Sequence, residues 1–149
     1  MMLARTVDAI AERGEGLLLL LGRLAIGALY LPSGFGKLTG INGPGVRGFA
    51  TYLVAHGVPG PAIAWSGVAA AVEFFASLAI VLGLKTRYAA ALLILFTIGA
   101  ALIGHPYWTI PDAAQKAQQK IHFFKDVAII GGLLFAFVRG AGPISIDRR

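Results

Sequence analysis

Seven ionisable residues stand inside or at the edge of long uncharged stretches: Arg23, Lys37, Glu73, His105, His122, Lys125 and Asp126. An ionised group at the centre of a bilayer costs at least ~2.5–3.5 kcal/mol on insertion scales, so such residues persist where they are paired, face a polar cavity or do chemistry. His122 or His105 has the donor and acceptor atoms to hydrogen-bond a ring oxygen. Lys125 would stabilise negative charge developing there, and Glu73 or Asp126 would exchange protons. A ring-shaped ligand that exchanges protons is one that such a set would serve. The same residues also suit a structural role, in which Arg23 reaches Glu73 and the buried pair fixes helix register, and Lys125 and Asp126 form an interfacial ion pair.

Spacing assigns these residues to faces. Arg23, Tyr30 and Lys37 are separated by seven residues in turn, nearly two helical turns, and so share one face. Gly27 and Gly34 lie on the same stripe, where small residues let a second helix approach. Glu73 sits among Ser66, Ala69, Ala70, Ala76 and Ser77, a small-residue face carrying one carboxyl group. His122 and Asp126 are four apart and His122 and Lys125 three apart, within one turn of each other. Lys37 and His105 belong to the same level of the membrane as this cluster. Gly131-Gly132 is expected to permit close helix contact.

The elements that position these groups follow from hydropathy. Of the 149 residues 57% are hydrophobic and 13% charged, against about 25% charged in a soluble domain. An apolar core of ~30 Å needs about 20 helical residues. Four spans are predicted, at about residues 16–38, 62–84, 88–104 and 121–138, forming one all-α integral membrane four-helix bundle over residues 1–149. Residues 1–15 suit either a surface helix carrying Leu3, Val7 and Ile10 or a polar terminus. No cleavage site follows the first apolar run, so it reads as a retained helix. The Gly- and Pro-rich loop of residues 39–60 contains an amphipathic piece, residues 46–55, expected in the interface.

The net charge of +6 is carried by residues flanking apolar runs, which points to lipid headgroups and away from nucleic acid. Arg5, Arg13, Lys85, Arg87, Arg139, Arg148 and Arg149 fall on one side, and Lys37, Arg47, Lys116 and Lys120 on the other. That asymmetry places both termini in the cytoplasm. There are no cysteines, which excludes disulfides, thiolate redox chemistry and iron–sulfur ligation. Two histidines on different helices, without a third ligand, make no metal site, and their place near the membrane edge disfavours haem.

In these residues the chain resembles the DoxX family of small bacterial and archaeal membrane proteins, from about Gly16 to Arg139. The resemblance rests on Arg23, Gly27 and Gly34-Phe35-Gly36-Lys37-Leu38 in the first span, and on Val72-Glu73 with Leu82-Gly83-Leu84-Lys85-Thr86-Arg87 in the second. His105 after the third span and Phe124-Lys125-Asp126 through Gly131-Gly132 in the fourth complete it. Family members more often carry Lys-Asn where this chain has Lys125-Asp126, which adds a negative charge. The resemblance implies a bacterial or archaeal inner-membrane bundle associated with a respiratory or redox enzyme, or with its own copies, at most an oxidoreductase subunit, and with a quinone as the ligand beside the ionisable cluster. A structural or assembly subunit without a ligand is the alternative. A small transporter ranks below both, since no inverted repeat or paired broken helices are present.

Overall fold

The computed structural model describes Met2–Arg148, with side chains described from Thr6 onward. Arg149 and the side chains of Leu3 and Arg5, used above for orientation and amphipathicity, lie outside the described residues. The described residues form five α-helices and one short 3₁₀ turn: α1 (Met2–Thr39), α2 (Gly45–Ala55), α3 (Ala62–Leu82), α4 (Thr86–Gly104), the 3₁₀ turn Tyr107–Thr109, and α5 (Ala113–Arg139). Among the described residues four helices (α1, α3, α4 and α5) are long and apolar enough to cross a membrane, and each overlaps one of the expected spans, α3 ending two residues short of its own.

The ends of the elements depart from expectation for identifiable reasons. Residues 2–15 continue α1 directly and form neither a separate surface helix nor a loose terminus. Helix α5 starts eight residues before the expected span because Asp112 caps it, its side chain accepting from the Gln115 N–H at 2.8 Å. The polar first turns of α5 therefore extend beyond the apolar run. Helix α3 stops at Leu82 because Gly83 adopts a left-handed conformation (φ 66°). The Gly83 N–H donates to the Ile80 carbonyl and the Leu84 N–H to the Ala79 carbonyl, the paired bonds of a Schellman ending.

Helix association in lipid depends on close packing more than on hydrophobic burial, and α1 meets α3 in this way. A Cβ at Gly34 would lie 2.7 Å from the Phe74 backbone nitrogen, and one at Gly27 would collide with Val81. Seven residues along α1 thus match seven along antiparallel α3, and the glycine stripe is the contact line. The buried face of α3 is the predicted one, with Ser66, Ala70, Glu73, Ala76 and Ser77 all buried. Helix α4 packs between α3 and α5, and Tyr30, Ile80, Leu93 and Leu133 meet in a shared core. Helix α2, the expected amphipathic piece, packs Ala50 and Leu53 inward and contacts α1 and α3.

Helix α5 is the peripheral member, held mainly by α4. Gly131 and Gly132 do not mediate a close contact within the chain, because a Cβ at either position would meet nothing within 4 Å. Expecting a contact there treated small residues as sufficient, whereas contact also needs a helix on that side.

Candidate functional site: a cleft at the α2 end

Two cations on the same stripe of α1 meet different surroundings. Arg23, 3% exposed, does not reach Glu73. Its guanidinium donates to the Val81 carbonyl at 3.1 Å, to the Ile80 carbonyl at 3.5 Å and to the Ile144 carbonyl. The last carbonyls of a helix have no partners within it and carry its negative dipole end, so the end of α3 is a better acceptor for Arg23 than a carboxylate farther along the helix. The remaining carbonyls there are met by the C-terminal segment: Ile146 N–H donates to Leu82 at 3.1 Å and Asp147 N–H to Gly83 at 3.0 Å. The predicted Arg23–Glu73 pair is therefore replaced by a tie between α1, the end of α3 and the tail.

Glu73 pairs instead with Lys37. The Lys37 Nζ lies 2.7 Å from Glu73 Oε2 and donates to Ser33 Oγ at 2.9 Å. Glu73 is 2% exposed, whereas the Lys37 side chain retains 20% exposure. The ammonium sits 5.2 Å from the Phe49 ring centroid and 5.6 Å from that of Phe96, within the range of cation–π attraction. One carboxylate, one hydroxyl and two aromatic faces thus hold the charge at the edge of the bundle interior.

Beyond Lys37 opens a cleft of about 490 Å³ between α1, α2, α3 and α4. Its walls are Phe49, Tyr52, Leu53, Leu95, Phe96 and Ile103, with Gly99 and Gly104 leaving room. Lys37 and His105 supply charge or hydrogen-bonding capacity, and Tyr52 a phenol. Partial burial pushes the Tyr52 phenol above its ordinary pKa, keeping it a neutral donor.

His105 links this cleft to α5. Its Nδ1 lies 2.6 Å from Gln119 Oε1, which makes Nδ1 the donor. Its Nε2 faces Asp126 Oδ2 at 3.9 Å, and its ring stacks on His122 with centroids 5.1 Å apart and planes 20° apart. Tyr30, buried below Lys37 on α1, bonds Thr97 at 2.5 Å. Thr97 spends its proton on the Leu93 carbonyl at 2.6 Å, so Tyr30 is the donor.

Of the seven candidates, Lys37, Glu73, His105, His122 and Asp126 thus gather toward the α2 end in two linked groups. Lys37 and His105 both line the cleft. Arg23 lies apart, toward the opposite end. Lys125 is exposed on the outer face of α5, because α5 is held mainly by α4 and buries only the narrow face that carries His122 and Asp126. Sequence reasoning missed Gln119, Tyr52 and Thr97. A threonine within an apolar span was the available signal for Thr97, while Gln119 and Tyr52 depend on where a loop and a short helix fold back.

Comparison with known proteins agrees with this architecture. The DoxX family profile matches residues 18–106. Inner membrane protein YphA of Escherichia coli is 38% identical over 132 residues, 89% of each chain. Inner membrane protein YqjF of the same organism is 31% identical over 129 residues, 87% of this chain and 88% of its own length. A stretch of 71 residues is 31% identical to the Surfeit locus protein 4 homolog of Schizosaccharomyces pombe, covering 47% of this chain and 24% of that protein. No solved structure matches. The profile match takes in Arg23, Lys37, Glu73 and His105, and the two bacterial relatives align along nearly the whole chain: this protein belongs to the DoxX family.

Proposed function

We propose that the chain is a single-bundle subunit of the bacterial or archaeal inner membrane, associated with a redox enzyme, and that its cleft receives the ring of a quinone. The observation that carries this reading is the cleft itself: about 490 Å³ with aromatic walls and a Lys37–Glu73 pair at one edge. Ligand sites are mostly apolar concavities with a few placed polar groups. The residues fit such a ring, since Phe49 and Phe96 offer flat faces and Lys37, Tyr52 and His105 offer hydrogen-bonding atoms. A bound quinone would supply two-electron, two-proton redox chemistry, with electrons coming from a partner enzyme. Lys37 would hold negative charge on a ring oxygen. Glu73, buried behind Lys37, would keep that ammonium in place, and the His105–Gln119 bond would orient the imidazole.

The positive-inside asymmetry supports a topology with both termini in the cytoplasm, in which the cleft would lie in the outer half of the membrane. The native chain has no cysteine, so single introduced thiols report orientation directly. Lys116→Cys should label from outside in intact cells and Arg148→Cys only after permeabilisation.

The site is tested by titrating a short-chain quinone into the purified protein. Lys37→Met and His105→Ala should each weaken binding about tenfold, the effect of losing a hydrogen bond that involves a charged or well-placed group. Equal affinity in wild type and both variants would remove the ligand from this reading. What would remain is a structural or assembly subunit, a role favoured by α5, where a Cβ at Gly131 or Gly132 would have open space and Lys125 is exposed.

A further inference from the structure

The opposite end of the bundle holds a second pocket, of about 500 Å³, at the start of α4. The α3–α4 turn passes through two left-handed residues, Gly83 (φ 66°) and Lys85 (φ 47°), and α4 then begins at Thr86 with no side chain capping its first N–H groups. Those N–H groups carry the positive end of a 19-residue helix. Lys85, Arg87 and Arg139 line the same pocket. Arg87 spends one nitrogen on the Val138 carbonyl at 3.1 Å and Arg139 pairs with Glu15. Asp147 also lines the pocket, contributing one carboxylate against three cations.

A further observation is independent of charge. Thr86 is 2% exposed, lines this pocket, and its Oγ1 has no hydrogen-bond partner among the described residues. A hydroxyl hidden from water with nothing to bond loses the desolvation energy without return, and hydroxyls in helix interiors normally return their proton to a carbonyl one turn back. Here that turn does not exist, because Thr86 is the first residue of the helix.

We propose that this pocket is a binding site for the phosphate group of an anionic phospholipid. A phosphate diester would accept from the free N–H groups of α4 and, once the side chain turns its hydroxyl to the pocket wall, from Thr86, with Lys85 and Arg87 compensating its charge. The lipid, as opposed to a free phosphate, is indicated by the pocket's surroundings. Tyr88, on its rim, is 74% exposed, and the neighbouring Val138 is 70% exposed, so the pocket opens at headgroup depth beside a lipid-facing wall along which acyl chains can lie.

The test is lipid retention by the detergent-purified full chain, read by native mass spectrometry with phosphatidylglycerol and with phosphatidylcholine. Phosphatidylglycerol should be held preferentially, and Lys85→Gln should weaken its binding about fivefold. Thr86→Val should weaken it by about the same factor, while leaving the lipid-free melting temperature unchanged or higher, since it removes a hydroxyl that has no partner. Equal retention of the two lipids, or wild-type affinity in both variants, would overturn the proposal. Inorganic phosphate competing as tightly as phosphatidylglycerol would overturn the assignment to lipid.

Discussion

Arg23 and Lys37 are two cations on one stripe of one helix, fourteen residues apart, and the fold uses them in opposite ways. Arg23 is enclosed, and its acceptors are backbone carbonyls of two other segments. Lys37 has a side-chain partner and an open flank. A planar guanidinium suits several fixed carbonyls at once, whereas a flexible ammonium can hold one carboxylate and still face a cavity. A charge whose partners are all main chain cannot exchange them without unfolding something. A charge whose partner is another side chain can, and that difference separates a structural residue from a candidate binding residue in this molecule.

The largest effect should come from breaking the enclosed end. Arg23→Met leaves the ends of α3 and of the tail short of a donor and should cost about 3 kcal/mol or more, read as a lowered denaturation midpoint in detergent. Arg23→Lys should recover little of it, because one ammonium cannot satisfy both segments in that geometry. At the open end, Glu73→Gln should cost about 2 kcal/mol. The effect is smaller because Lys37 is part-exposed and can turn toward the cleft. The double variant Lys37→Met with Glu73→Met should be more stable than the sum of the two single changes predicts, since the coupling disappears with the pair. If the Arg23 and Glu73 variants lose equal stability, the contrast between the two ends fails. The smallest effect is expected at Lys125, whose outward position makes Lys125→Met worth under about 0.5 kcal/mol. A larger loss in the monomer would mean that this side chain has an inward partner after all.

The extent to which the site was legible follows from the range of each interaction. Periodicity placed Arg23, Tyr30 and Lys37 on one face and predicted the glycine contact line, because those relations lie within a single helix. It also found the amphipathic α2 and the small-residue face around Glu73. It misassigned the partner of Glu73, since Arg23 and Lys37 are equivalent on a helical wheel and only the axial position of α3 distinguishes them. Lys125 was placed with His122 and Asp126 by spacing, yet the arc that α5 buries is set by its neighbours, chiefly α4. The docking of the tail had no local signal, as its bonds use backbone groups of Ile144, Ile146 and Asp147 that almost any side chains there would leave in place.

The bond from Arg23 to the Ile144 carbonyl spans 121 residues. During synthesis the first span must enter the membrane with its guanidinium lacking that acceptor, and Ile144 leaves the ribosome only after every helix has been made. Closure of this end is therefore a late step of biogenesis. Until then Arg23 must keep water or headgroups beside it, which leaves the nascent bundle a target for quality-control proteases.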